Sequence, residues 1–354
     1  MKKLKFLLTV SLIPLFLSIN YIKPGNLIFD KYFSNLIYPI ISEKLRFITS
    51  LFSFPLGDIL YMLILIGLIY FLFIDSNKVV DKIINLGSFI FILTFLFYLL
   101  WGFNYKRTAV VDHLNIKSNF EKEELINFTE NLINKINIKH RLLFINDTIK
   151  PKNIYNFEEN IKISMENTEK LKSIFDERFL KFSYKNSSVK KSLFSLPLTY
   201  MGFSGYINPF TNEANINHKI PSSSLTFVIN HEIAHQIGIA SEKDANFISY
   251  LMLTLSHNEY HKYCGYSYAL RLCLNELAEI DYTIYQELLK KVNKGIIKDY
   301  IEINNFWKKY EGKIEEVSKK SYDLYLKQNN IQTGIKNYNE SISLILNFNN
   351  QINE

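Results

Sequence analysis

Three apolar stretches within the first 105 residues constrain the fold of this chain more than any other feature. Uncharged runs cover residues 6–22, 59–74 and 83–105, with lengths of 17, 16 and 23 residues. A helix needs about 20 apolar residues to cross the hydrocarbon core of a bilayer, within a range of roughly 17–25. The first two runs reach this length if a flanking side chain extends to the interface or the bilayer thins. The sequence therefore predicts three transmembrane helices, at about 6–22, 57–74 and 83–105.

The first stretch has the basic start of a signal peptide, with Lys2, Lys3 and Lys5, but no small-x-small cleavage signal follows it. We therefore interpret it as an uncleaved anchor. The same lysines favour a cytoplasmic N-terminus, although the positive charges of the loops are nearly balanced. Three spans then place everything after Tyr105 outside the cytoplasm. The loop 24–57 has a mixed pattern that predicts an amphipathic segment on the membrane surface.

The character of the chain changes after Tyr105, because charged residues recur every few positions and no long apolar run follows. This change predicts two parts: a membrane domain, residues 1–105, and an extracytoplasmic domain, residues 106–354. Hydrophobic residues make up 48% of the chain and charged residues 21%, which excludes disorder of the whole chain. The net charge of +7 is spread along the chain rather than clustered, so we expect no nucleic-acid partner.

The second part reads as helices, a small sheet and further helices. Helical spacing of apolar residues predicts helices near 120–136 and 155–181. Residues 183–217 are rich in Ser, Gly, Tyr and Asn, which is typical of short strands and turns. Helical patterns resume after Pro221, including one helix across 266–292. The predicted fold class is α+β: three N-terminal transmembrane helices, then a mostly helical, zincin-like domain with a small β-sheet.

The segment around residues 222–251 contains the pattern HExxH, formed by His231, Glu232 and His235. Two histidines four residues apart on a helix project from one face, so both imidazoles can reach one metal ion. A catalytic zinc site has three protein ligands and keeps one position open. The pattern therefore predicts His231 and His235 as Zn²⁺ ligands and Glu232 as the general base and proton shuttle.

The third ligand depends on the turn that follows the helix. Gly238 can end the helix in a left-handed turn, and Ser241 can cap a new helix whose face returns to the first. Residues 242–246 resemble the E-x-x-A-D element that supplies the glutamate ligand in gluzincin-type metallopeptidases. That resemblance implies Glu242 as the ligand and Asn246, in place of the family's Asp, as a partner of one histidine's other nitrogen. Asp244 is the alternative third ligand, although it also suits a capping box with Ser241.

Residues that would complete the chemistry are less specific in the sequence. An oxyanion formed during amide hydrolysis needs a hydrogen-bond donor beside the metal, and Tyr263 and Tyr266 are candidates. The run 205–217 could form an edge strand that aligns an extended peptide by β-augmentation. Charged residues lie close to HExxH on both sides, so no membrane span fits there, and the predicted site belongs to the water-exposed domain.

The whole pattern resembles bacterial membrane proteins grouped as domain of unknown function 3810 (DUF3810). The similarity covers nearly the full length. It is carried by the span layout and by the runs WGFNYKR, GFSGYINPFTNEANIN, HEIAHQIGIASEKDANF, YCGY and SYDLYLKQNNIQTGIKNY. The resemblance implies a zinc metallopeptidase-like protein of the bacterial envelope and no particular substrate. With the three predicted spans, we expect a multi-pass protein of the bacterial cell membrane whose catalytic domain lies on the periplasmic side.

The sequence thus predicts a membrane-anchored zinc metallopeptidase whose partners are the lipid bilayer and a peptide or protein substrate. The alternative is a non-catalytic envelope protein whose zinc braces a partner-binding surface. Such a protein would bind metal but show no activity that depends on Glu232.

Overall fold

The structure is a computed structural model that describes residues 2–73, 78–175, 184–329 and 338–353. It is mostly helical, with one three-stranded sheet. The elements up to residue 113 are α1 (Lys2–Val10), α2 (Leu12–Tyr21), α3 (Leu27–Phe29), a π-helix (Asp30–Ile37), α4 (Tyr38–Ser50), α5 (Leu56–Phe73), α6 (Val79–Leu100), a 3₁₀ helix (Gly102–Lys106) and α7 (Val110–His113). They are followed by α8 (Lys122–Phe144), α9 (Phe157–Lys170), a 3₁₀ helix (Leu171–Ser173), β1 (Val189–Lys191), α10 (Ser195–Met201), β2 (Gly205–Ile207) and β3 (Ala214–Ile216). The remaining helices are α11 (Ser222–Gln236), α12 (Glu242–Thr254), α13 (Glu259–Ile280), α14 (Tyr282–Lys291), α15 (Lys294–Lys308), α16 (Lys313–Gln328) and α17 (Tyr338–Asn353).

Within the described residues, three helical stretches are long and apolar enough to cross a membrane, as predicted. They are Lys2–Tyr21, Leu56–Phe73 and Val79–Leu100. The first comprises α1 and α2, which run on with helical hydrogen bonds across the junction at Ser11. The ammonium group of Lys2 pairs with Asp81 at 3.1 Å, so the start of α1 and the start of α6 lie at the same end. The other ends of the spans meet the rest of the protein.

The third span ends earlier than predicted. Residues 101–105, which we expected inside it, leave the helix at Trp101, whose φ and ψ of −151° and −44° are not helical. Trp101 and Tyr105 are buried in a cluster with Tyr38, Ala240 and Leu326. Trp101 and Tyr105 pack against protein rather than against lipid. An uncharged run in the sequence does not distinguish these two environments.

The segment between the first two spans is built into the folded protein. Tyr38 and Ser42 of this segment donate hydrogen bonds to the carbonyl of Gln236, at 3.0 Å and 2.8 Å. Arg46 is buried with its guanidinium 4.2 Å from the ring centroid of Tyr184. The opposite face is exposed and apolar, with Leu36, Ile37, Ile40, Phe47, Ile48 and Leu51. The segment is amphipathic, as predicted, and its polar face is directed inwards to the protein.

A socket of buried polar groups holds the start of α5. The fully buried carboxylate of Glu213 accepts hydrogen bonds from the backbone N–H of Leu56, at 3.1 Å, and of Gly57, and from the hydroxyl of Thr211. The amide of Asn208 donates to the carbonyl of Gly57 at 3.1 Å. A carboxylate at a helix N-terminus satisfies free N–H groups and opposes the positive end of the helix dipole. The socket therefore joins the second span to the sheet region.

The helices of the second part agree with the sequence patterns except in their limits. The helix predicted near 120–136 is α8, which extends to Phe144 and starts with a capping box of Glu121 and Glu124. The helix predicted across 155–181 is α9; residues 176–183 lie outside the described part of the chain. The single helix predicted across 266–292 is two, because Asp281 caps the start of α14 after α13 has ended.

The sheet has the strand order β1–β3–β2, with β1 parallel and β2 antiparallel to β3. Residues 183–217 also contain α10, which the sequence reading as strands and turns missed. The core lies beside the sheet, where α11, α12 and α13 pack on one another with Ile229, Ile233, Phe247 and Leu270 fully buried. The predicted α+β class is confirmed in this coarse form: helices with a small sheet.

Candidate metal centre

Helix α11 brings His231 and His235 together. Residues four apart lie one above the other on a helix face, and here the two imidazole rings are 4.7 Å apart and perpendicular. Their Nε2 atoms face each other at 3.1 Å. Two such nitrogens cannot both present lone pairs at this distance unless a proton or a cation lies between them. The two Nε2 atoms can therefore share one proton or bind one cation.

A glycine turn sends the chain back across these histidines. Gly238 has φ +97°, a left-handed conformation that favours glycine. Its N–H bonds to the carbonyl of His235 at 2.9 Å, and the N–H of Ile239 bonds to that of Ala234 at 3.1 Å, as in a Schellman-type helix end. A Cβ at this position would lie 2.8 Å from the ring of Tyr38. Helix α12 begins directly after this turn.

The first residue of α12, Glu242, completes the His-His-Glu cluster. Its carboxylate oxygens lie 3.2 Å from Nε2 of His231 and 3.6 Å from Nε2 of His235. Ligand atoms that bind zinc at about 2.0–2.1 Å in tetrahedral geometry are separated by about 3.3 Å. The ligand atoms of the cluster lie within 4.8 Å of one another. The residue types and separations fit one zinc ion.

The histidines and carboxylates of the cluster shift one another's pKa values. Burial by itself lowers the pKa of His235, but the neighbouring carboxylates of Glu242 and Glu232 outweigh burial and raise it to about 9. Burial would raise the pKa of Glu242, but the two histidines hold it well below its usual value. Without a metal, His235 is therefore protonated at neutral pH and lies beside an ionised Glu242.

The other ring nitrogen of His235 is held by the backbone. Nδ1 lies 2.6 Å from the carbonyl of Ile239, so it is the protonated nitrogen and Nε2 is left for the cluster. Nδ1 of His231 is buried and has no hydrogen-bond partner among the described residues. Neither histidine is bonded to Asn246, so the partner role inferred for Asn246 from its family resemblance is not what the structure has. The glycine turn supplies a backbone carbonyl instead.

Glu232 lies between the histidines in sequence and beside the sheet in space. It is 3% exposed, and its Oε2 has no hydrogen-bond partner among the described residues. Burial raises its pKa, against the effect of both histidines. A Cβ on Gly205 of β2 would lie 2.7 Å from its Oε1. Only glycine lets the strand approach this carboxylate so closely.

The free edge of β2 runs past Glu232. The backbone N–H of Asn208 donates to the carbonyl of Glu213, and the backbone N–H of Asn217 donates to the carbonyl of Ser204, so residues 204 and 208 are hydrogen-bonded to the residues that flank β3. Hydrogen bonds alternate along an antiparallel pair, so the backbone groups of Gly205 and Ile207 point away from β3. Among the described residues no strand pairs with that edge. The edge strand expected of the run 205–217 is therefore β2 alone, because β3, from the same run, is the central strand.

Asp244, the alternative third ligand, is placed elsewhere. Its side chain is buried, and Oδ2 accepts a hydrogen bond from the N–H of Val110 at 3.3 Å. It lines a cavity of about 330 Å³ together with Asp112, Lys243 and Glu340. Residues two apart on a helix point to different sides, so Glu242 and Asp244 cannot both face the histidines.

Tyr263 and Tyr266 are not beside the cluster. Tyr263 is buried against the rings of His140 and Phe144, and Lys135 lies over the ring of Tyr266. Those contacts are with α8, because both tyrosines lie on the side of α13 that faces that helix. Among the described residues, neither tyrosine makes a hydrogen bond or ring contact with the cluster.

The tyrosine at the cluster is Tyr322 of α16, which the sequence analysis missed. Its hydroxyl donates to Oε1 of Glu242. Burial and the nearby carboxylate raise its pKa, so it stays a donor. The ring of Trp101 lies 6.3 Å from that of His235. The only signal in the sequence was the aromatic character of the runs around residues 101 and 322, which does not tell where either run packs.

Fold and site together define a class: a mostly helical protein with three possible membrane spans and a buried His-His-Glu cluster beside a small sheet. The chain belongs to the family described as "Protein of unknown function (DUF3810)", which matches residues 33–346. The resemblance to DUF3810 proteins that the sequence motifs indicated is thereby confirmed for these residues. No curated protein and no solved structure matches the chain.

Proposed function

We propose that this protein is a membrane-anchored, zinc-dependent metallopeptidase. One observation carries the proposal: Nε2 of His231, Nε2 of His235 and the carboxylate of Glu242 converge at zinc-like separations, with the buried carboxylate of Glu232 next to them. A zinc site that only stabilised the fold would not require an additional buried carboxylate with an unpaired oxygen. Such a group is what proton transfer during hydrolysis requires.

Each residue of the site would have a separate role. His231, His235 and Glu242 would hold the ion, and Tyr322 would orient the carboxylate of Glu242. Zinc supplies Lewis-acid polarisation of a carbonyl and acidifies water. Glu232 would accept the proton of the attacking water and pass it to the leaving amine, since burial raises its pKa towards the range where a carboxyl group both takes and releases protons.

An extended peptide fits the free edge of β2. Its backbone would hydrogen-bond with the outward N–H and C=O groups of Gly205 and Ile207. Because Gly205 lies against Glu232, a bond of that peptide would lie near the cluster. Backbone pairing of this kind favours an unfolded peptide segment over a folded surface.

Metal dependence tests the proposal directly. The purified full-length protein should bind about one zinc ion per chain and cleave a random-sequence peptide library, and chelation should abolish both. His235→Ala should lose zinc and activity, because it removes one of three ligands. His257→Ala is the matched control, since His257 is exposed and bonds to Lys170. Zinc binding that survives His235→Ala would contradict the assignment.

Zinc affinity should rise with pH up to about 9. The pKa of His235 is raised to about 9 in the metal-free cluster, so at neutral pH its imidazole holds a proton that zinc must displace. Affinity should therefore fall about tenfold for each pH unit below that value, and binding at pH 7 should release a proton. Competition with a chromophoric chelator between pH 7 and 9 measures the slope. A flat profile would show that no proton is displaced.

A further inference from the structure

The candidate cluster lies at the end of a membrane span. Helix α6 has 22 residues and therefore rises about 33 Å, which just covers a hydrocarbon core of about 30 Å. Its last residue, Leu100, thus lies near the bilayer surface, and Trp101, which is buried in the protein, follows at once. The ring of Trp101 is 6.3 Å from that of His235. The cluster is therefore within one side chain of the membrane boundary.

The strand beside the cluster is attached to the second span. The hydroxyl of Tyr206 in β2 donates to Asp58, and its ring stacks on Tyr61 at 5.8 Å. Helix α5 is apolar enough to cross a membrane, and Tyr61 lies in its second turn. Tyr61 is therefore at the end of the second span that meets the sheet. The free edge of β2 consequently lies at the membrane surface.

The segment between the first two spans extends this surface. Its outer face is apolar, with Leu51 69% and Phe47 53% exposed. Its ends continue into α2 and α5, so this face is level with the bilayer. An exposed apolar face of this kind beside two spans suits lipid rather than water.

We propose that the substrate is a membrane-anchored polypeptide, cut in the extended segment next to its own anchor; this rests on the peptidase function proposed above. A chain that leaves the bilayer beside α5 meets the edge of β2 at once and reaches Glu232 from there. At about 3.3 Å per residue, the cut falls within about ten residues of the anchor. A soluble protein would have to insert an unfolded segment between β2 and the bilayer.

Two anchored substrates that differ only in distance from the membrane test this inference. The full-length protein is placed in phosphatidylcholine liposomes with a fluorogenic library of random ten-residue peptides on a Leu-rich transmembrane helix. In one form the library follows the anchor directly, and in the other a spacer of about twenty prolines lifts it by about 60 Å. The direct form should be cut about tenfold faster or more, because its effective concentration at the site is higher.

The outcomes separate the two proposals. Equal rates for both forms, with loss of cleavage in Glu232→Gln, would overturn the membrane-anchored substrate and keep the peptidase. Absence of any Glu232-dependent cleavage would overturn both.

A second measurement does not depend on catalysis. A fluorophore on Leu51→Cys should be quenched by lipids with nitroxide headgroups. The control is Ile145→Cys, since Ile145 is 92% exposed at the end of α8, which packs on α13, α14 and α17. The native Cys264 and Cys273 are buried and should not label. Quenching that is no stronger at residue 51 than at residue 145 would overturn the inference, because the apolar face between the first two spans would then not lie at the bilayer.

Discussion

Glu232→Gln should leave about one zinc ion per chain bound while peptide hydrolysis falls about 10²- to 10⁴-fold. Glutamine has nearly the same shape, so it fills the buried space against Gly205 where a larger side chain would not fit. It cannot accept and release a proton as the carboxylate does. Metal analysis and peptide cleavage on the same preparation give both values.

A glutamate on the surface provides the control for this change. Glu302 is partly exposed and pairs with Lys150, so Glu302→Gln removes a charge without touching the cluster. It should keep both zinc and activity. If Glu232→Gln hydrolysed peptides at the wild-type rate, the proposed mechanism would fail, and a non-catalytic zinc protein would become the better interpretation.

Glu213→Ala should destabilise the protein by about 3 kcal/mol or more, because it leaves buried hydrogen-bond donors without an acceptor. The donors are the N–H groups of Leu56 and Gly57 and the hydroxyl of Thr211. The lost carboxylate also opposed the dipole of α5. The apparent unfolding temperature of the full-length protein in detergent should fall by about 6 °C or more.

Two variants show whether the socket itself is responsible. Glu213→Gln keeps one acceptor oxygen and should lose less stability than Glu213→Ala. Glu311→Ala, at an exposed position, should change little. If Glu213→Ala unfolded at the wild-type temperature, the socket would not join the second span to the sheet.

Some features of the candidate site depend on short-range geometry and could therefore be predicted. The helix through HExxH places His231 and His235 on one face whatever surrounds it. The glycine after it predicts a turn, and a chain that turns there returns past the histidines. Whether Glu242 or Asp244 then faces them depends on the rotation of α12 about its axis. That rotation follows from packing, with Phe247 and Leu251 buried on the side away from Glu242.

Contacts between distant parts of the chain could not be predicted. Tyr322 reaches Glu242 across 80 residues, and Tyr38 reaches Gln236 across 198. Tyr263 and Tyr266 were expected near the His-His-Glu cluster because they follow α11 and α12 closely in sequence. The direction of a side chain on α13 is set by its neighbours α8 and α11, and sequence distance carries no information about this.

By itself the sequence determined the local features: three apolar helices long enough for a bilayer, two histidines one turn apart, and a turn at Gly238. These features can be predicted from residue spacing. Helix geometry fixes which neighbouring residues share a face, and the apolar character of a continuous run determines whether it can leave water. Only the tertiary structure decided the rest, from the orientation of Glu242 towards the histidines to the burial of Trp101 beside His235. Those features depend on which surfaces are buried against one another, and the residues after Leu100 show why: the same apolar composition suits lipid and protein equally well.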